Sequence, residues 1–125
     1  MIIKSWLFNQ LVEEPYTEFN RIEENIEEIV NRTYWEAWTY VVYIKNRNIT
    51  WIATIAELQS IENKIAEIAI KFSIPYTSKT WADNDPITRD TLNNWESVIG
   101  LADIYIDKFN LEFTGTFNVG ELGLL

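Results

Sequence analysis

One apolar spacing recurs three times in this chain, and it restricts the fold to one that packs three similar helices together. The copies run over residues 19–29, 58–68 and 92–102, and their starts are 39 and 34 residues apart. That period falls in the range of helical repeat arrays. Each copy has a large apolar residue at its first, fourth and eighth positions and a Glu at its fifth. The first set is Phe19, Ile22 and Ile26 with Glu23. The second is Leu58, Ile61 and Ile65 with Glu62, and the third is Leu92, Trp95 and Ile99 with Glu96. Spacing of three and four lays these residues along one face of an α-helix. Ile29 extends the first stripe, Ile68 and Phe72 the second, and Ile106 the third. A narrow apolar seam does not hold a helix in water alone. Three such seams in one small chain most simply face one another.

Local signals place the helices near 17–31, 54–73 and 86–108. Thr54 stands three residues before Glu57, the spacing of a capping box. Asp85 before Pro86 offers a cap followed by a proline at the first helical position, with Thr88 as a competing cap. Glu14-Pro15 and Thr17 lead into the first helix in the same manner. Pro75 closes the second. The stretch from Tyr34 to Ile44 has Trp35, Trp38 and Val42 at helical spacing but a strand-favouring composition in Tyr40, Val41, Val42 and Tyr43. A helix continuing or restarting from the first repeat is the favoured reading. Residues 111–125 differ in kind. Leu111, Phe113, Phe117 and Val119 alternate with Glu112, Thr114, Thr116 and Asn118, which is the period of a half-buried strand. Such a strand needs a partner, either Ile2 to Phe8 or another chain. The expected fold is mainly α. It is a bundle of three or four helices within 1–110, built from the internal repeat, followed by a short β-type docking tail over 111–125.

With 125 residues the chain has room for one ordinary core. It contains no Cys and no His. Disulfides, thiolate nucleophiles, Cys and His metal sites and the commonest general base are therefore excluded. Ten basic residues against nineteen acidic ones give a net charge of −9. That charge repels phosphate backbones and anionic lipid, so neither nucleic acid nor membrane is an expected partner. No stretch approaches the apolar length of a membrane span, and Met1-Ile2-Ile3-Lys4 does not open a signal peptide. The chain is expected to be made and kept in a cytoplasm.

The remaining candidates have ordinary readings. Glu23, Glu24, Glu27 and Glu28 crowd one helix, as solvated helix faces commonly do. Asp83-Asn84-Asp85 begins like a calcium loop, but Ile87, Thr88 and Asn94 stand where that loop needs a ligand, a Gly and a Glu. The sequons at Asn31 and Asn48 carry no meaning without a secretory signal. Six Trp and six Tyr are core or interface anchors rather than stacking platforms, which come with positive grooves. The recurring Glu is the most specific feature. It is either a helix-favouring residue beside the seam or an acceptor for backbone N–H groups or a Trp indole from an adjoining loop. No catalytic, metal or cofactor residue is expected, and no small-molecule substrate.

The run Asn20-Arg21-Ile22-Glu23-Glu24-Asn25-Ile26 resembles an Asn-Arg-Ile-Glu-x-Asn-Ile helix that recurs in virion structural proteins of phages of low-GC Gram-positive bacteria. Trp81, Asp85, Thr88, Leu92, Asn93 and Trp95-Glu96 are similar to the lead-in of that helix. The run from Phe113 to Glu121 is similar to Gly-Thr-Phe…Gly-Glu endings in such proteins. Gln59-Ser60, Asn94 and Val98 depart from the pattern. The resemblance implies a non-enzymatic virion component of the tail, baseplate or fibre region. Its partners would be other virion proteins and further copies of itself, and its location the virion after synthesis in the host cytoplasm. Its interface and structural residues would be the seams, the three Glu, and Phe113 and Phe117. Two other classes stand beside it. One is a small acidic phage inhibitor of a basic host protein or a nucleic-acid mimic. The other is a cell-wall hydrolase using a carboxylate pair.

Overall fold

A computed structural model of the 125-residue chain describes residues 1–6, 14–33, 36–39 and 43–114. It contains three helices, α1 (Pro15–Arg32), α2 (Ile55–Lys71) and α3 (Arg89–Thr114), each packed against the other two. No strand occurs among the described residues. The seams account for the packing. Phe19, Ile22, Ile26 and Ile29 of α1, Leu58, Ile61, Ile65 and Ile68 of α2, and Leu92, Trp95, Ile99 and Ile106 of α3 all lie in one buried cluster. The Phe19 ring meets Trp95 edge-on at 5.7 Å and Trp51 at 4.8 Å, so aromatic contacts cross between α1, α3 and the α2 lead-in. Burying one such side chain contributes about 1.5–3 kcal/mol.

The helix ends follow local chemistry. Pro15 takes the first turn of α1, where its missing N–H is not needed. Thr54 caps α2 by accepting from the Glu57 N–H at 3.2 Å. At α3 the competing cap wins: Thr88 precedes Arg89 and accepts from the Thr91 N–H, while Asp85 instead accepts from the Ala82 N–H at 2.7 Å. The C-terminus of α2 is a Schellman turn. Ser73 N–H donates to the Ile70 carbonyl and Ile74 N–H to the Ala69 carbonyl, with Ile74 buried beneath. Ser73 occupies the left-handed position with φ 54°.

Two local expectations change. The favoured helix over 34–44 is not found in the described part of that stretch. Residues 36–39 and 43–44 are non-helical, and 34–35 and 40–42 lie outside the described residues. The chain leaves α1 at Thr33, whose hydroxyl donates back to the α1 carbonyls and accepts from the Trp38 indole at 2.8 Å. Side chains of α2 then capture the departing backbone. Thr39 N–H donates to Glu67, and Lys71 donates to the Ala37 carbonyl at 2.7 Å. The second change is at the end of α3. The helix runs on through Thr114, so residues 111–114 of the expected strand form its last turn. Extending an existing helix needs no new nucleus, whereas a lone strand leaves its ladder groups unpaired. Residues 115–125, with Phe117, lie outside the described residues.

Ile26, Ile65 and Ile99 are each 0% exposed and come from different helices. Changing any one to Asp places an unpaired charge in the shared core and should abolish cooperative thermal unfolding, as followed by circular dichroism. Three independently stable helices would instead leave normal melting in each variant. Ser73→Gly should raise stability by roughly 0.5–1 kcal/mol, because the left-handed conformation strains an L side chain by more than the added chain entropy of Gly offsets. A chemical denaturation midpoint at or below that of the parent would contradict this.

Candidate functional site

The three recurrent Glu are among the most buried polar residues of the protein. Glu23, Glu62 and Glu96 are each 1% exposed. A buried carboxylate is tolerated only where donors meet it. The structure supplies them in the same way at all three places, from one linking segment and from one neighbouring helix.

At α3 the linking segment is residues 1–6. Glu96 accepts from the Lys4 N–H at 3.1 Å and from the Trp6 indole at 3.3 Å. One helical turn before it, Asn93 grips the backbone of Trp6 from both sides. It accepts from the Trp6 N–H at 2.6 Å and donates to the Trp6 carbonyl at 2.8 Å. From α1, the Arg21 guanidinium donates to both Glu96 oxygens and, with Asn25, to the Ile2 carbonyl. At α1 the linking segment is 43–47. Asn20 accepts from the Arg47 N–H and donates to the Arg47 carbonyl, both at 3.1 Å. The Arg47 guanidinium pairs with Glu23, and Lys64 of α2 reaches the same carboxylate at 3.4 Å. At α2 the linking segment is 76–81. Gln59 accepts from the Trp81 N–H at 2.8 Å and donates to the Lys79 carbonyl at 3.2 Å. Glu62 accepts from the Trp81 indole, the Tyr76 hydroxyl and the indole of Trp95 on α3.

Each clamp therefore has an amide at the second position of the copy and a carboxylate at the fifth, one turn apart on the same helix face. The amide fixes the backbone of the segment. The carboxylate takes the side-chain donor of the same segment residue: Trp6, Arg47 or Trp81. The next helix in a closed cycle provides a further donor: Arg21 of α1 to α3, Lys64 of α2 to α1, and Trp95 of α3 to α2. Of the two readings of the recurrent Glu, the acceptor reading describes these contacts, with cations replacing the indole at Glu23.

The seam residues Phe19, Ile22, Ile26, Leu58, Ile61, Ile65, Leu92, Trp95 and Ile99 form the floor on which the clamps stand. Phe113 falls in the last turn of α3, and Phe117 lies outside the described residues. Sequence reasoning had the Trp residues as core or interface anchors and a Trp indole as a donor to the Glu, but did not single out Arg47, the assignment of Trp6 and Trp81 to particular Glu, or the clamp role of Asn20, Gln59 and Asn93. One signal was available: Lys4-x-Trp6, Lys45-x-Arg47 and Lys79-x-Trp81 each precede a copy of the repeat. The departure at Gln59 preserves the clamp, since the longer amide accepts from the Trp81 N–H and donates to a carbonyl two residues earlier, at Lys79.

Titration follows from burial. Burial, reinforced by Glu27, Glu23 and Glu67, pushes the Tyr43 phenol up to about 12. Burial and then the hydrogen bond to Glu62 push Tyr76 higher still. Burial lowers the Lys64 ammonium, against the pull of Glu23. Among the described residues there is no group of three or more carboxylates arranged to hold a metal ion, and no helix is long and apolar enough to cross a membrane.

The two tyrosines give a paired prediction. The Tyr76 hydroxyl donates to a buried carboxylate, so Tyr76→Phe should cost about 1.5–3 kcal/mol. The Tyr43 hydroxyl is buried and has no hydrogen-bond partner among the described residues, so Tyr43→Phe should be neutral or stabilising by up to about 1 kcal/mol. Urea denaturation distinguishes them, and equal losses would contradict the assignment. Both phenols hold their protons more tightly in the folded state. Stability should thus be at its plateau below about pH 10 and fall as pH rises through 12. Tyr43→Phe should flatten that alkaline limb. Glu62→Gln should cost about 1–3 kcal/mol, since one amide oxygen cannot accept from three donors.

No protein-family model matches the chain, and no curated protein or solved structure matches it.

Proposed function

We propose that this chain is a non-enzymatic structural component of a phage virion, in the tail, baseplate or fibre region, acting through protein–protein contacts. One observation carries the reading. The residues of the Asn-Arg-Ile-Glu-x-Asn-Ile resemblance are occupied in holding the fold: Asn20 clamps Arg47, Arg21 bridges to Glu96, Glu23 pairs with Arg47 and Lys64, and Asn25 donates to the Ile2 carbonyl. A motif with these duties is a scaffold element, and its recurrence in virion proteins is then the recurrence of a building block. The surface offers apolar contact points. Ile2 is 65% exposed, Ile104 57%, Ile70 79%, and Ile49 and Ile52 82% each.

Quantitative mass spectrometry of purified particles tests the proposal. The expected result is the polypeptide at a fixed, near-integer stoichiometry to a known tail protein. A chain abundant in infected cells but absent from particles would overturn it and favour the acidic inhibitor of a host protein.

A further inference from the structure

The segment held at α3 has a property that the other two do not share. Segments 43–47 and 76–81 each lie between the helix that clamps them and the next helix in the chain. Segment 1–6 is clamped by α3, at the opposite end of the described chain. Each unit therefore consists of a segment, a connection and a helix, and each segment docks on the helix of the preceding unit. The segment of the first unit takes the helix of the third.

The geometry points to the α3 clamp as a peptide-binding site that takes residues 1–6 of a second copy of this chain as well as its own. The ligand is an extended segment of the pattern Ile-x-Lys-x-Trp. Its bonded groups fall on residues 2, 4 and 6, the alternation of an extended strand. The Ile2 carbonyl accepts from Arg21 at 2.9 Å and Asn25 at 2.7 Å, Lys4 N–H donates to Glu96, and Trp6 N–H and carbonyl are held by Asn93. Two side-chain contacts add specificity. Trp6 places its indole on Glu96, and the Lys4 ammonium pairs with Glu18 at 2.8 Å. Among residues 1–6 only Trp6 is buried, so the clamp is what holds the segment.

A contact between the first and last units has the same geometry whether both belong to one molecule or to two. Within one copy it closes a ring of three. Between copies it is heterologous and joins molecules head to tail. Residues 7–14 connect the segment to α1, and a short tether keeps the molecule's own segment at an effective concentration on the order of mM. Exchange thus appears when protein is concentrated or when one molecule's own segment is impaired. The site stands on the clamp geometry alone. Within a virion it would make a second copy the partner.

Complementation between two full-length variants tests this. Trp6→Ala spoils the segment and keeps the clamp, and Asn93→Ala spoils the clamp and keeps the segment. Each alone should be monomeric with a lowered Tm. Mixed, the intact segment of one should seat in the intact clamp of the other. Native mass spectrometry should then show a heterodimer at least about tenfold above either homodimer, the differential expected of roughly 1.4 kcal/mol in pairing, and the mixture should melt above both components. The double variant mixed with Trp6→Ala should give none. If the alanine variants do not fold, Trp6→Phe with Glu96→Gln, which keep the bulk, decides the question. Failure to form the heterodimer at protein concentrations approaching mM, or its formation with the double variant, would overturn the proposal.

Discussion

The fold depends on three carboxylates that have been taken out of water. Each sits beside an apolar seam at 1% exposure, and each needs donors that its own helix cannot supply. Removing the partners of a buried charge is among the most destabilising single changes available to a protein, commonly about 3–5 kcal/mol. The demand has a geometric consequence. A linking segment that carries a Trp or Arg must lie against the helix, and the next helix must bring a donor of its own. Burial of Glu23, Glu62 and Glu96 thereby specifies which segments and helices are neighbours, which apolar seams alone would leave loosely defined.

The amide one turn earlier solves a different problem. Linking segments in so small a protein run close to the core, where backbone N–H and C=O groups lose water and have no ladder partner. Asn20, Gln59 and Asn93 each provide a donor and an acceptor in one planar group, which matches the donor and acceptor of a peptide backbone. The segments are thus stapled without forming a sheet. Lys45 at φ 53° shows that the segment need not be regular for this to work.

The seams were legible in the sequence because helical periodicity is local: every residue of a stripe lies within a few positions of the next. Thr54 was legible for the same reason. The positions of the Glu were legible, but their donors were not. The Trp6 indole reaches Glu96 across 90 residues, and Arg21 reaches it across 75. Nothing in the spacing of one copy announces a partner so distant. The helix favoured over 34–44 rested on the helical spacing of Trp35, Trp38 and Val42, and the described part of that stretch is not helical. The Trp38 indole instead reaches back to Thr33, and its neighbours are taken by Glu67 and Lys71 of α2. Residues 111–114 continue α3, and the rest of the alternating segment, 115–125, lies outside the described residues.

The three sites are equivalent in geometry but not in charge, and the difference bears on which segment goes where. Glu23 meets two cations, Arg47 and Lys64. Glu96 meets one cation, Arg21, and an indole. Among the described residues Glu62 meets neutral donors only, from Tyr76, Trp81 and Trp95. Three identical clamps would let any segment dock at any helix, and a chain with three interchangeable contacts has several near-degenerate packings. The unequal donors remove that degeneracy. Segment 43–47 placed at α2 would bring the Arg47 guanidinium beside the Trp95 indole that already donates to Glu62, and would give up its pairing with Glu23. Segment 76–81 placed at α1 would replace the Arg47 cation by the neutral Trp81 indole and leave Lys64 as the cation that meets Glu23. Segments 1–6 and 76–81 both offer Lys-x-Trp and are the least discriminated pair. They are separated instead by Glu18, which receives Lys4 beside α3, and by Tyr76, which only the 76–81 segment can deliver to Glu62. The repeat supplies the common frame, and the unequal charges within it order the units around the ring.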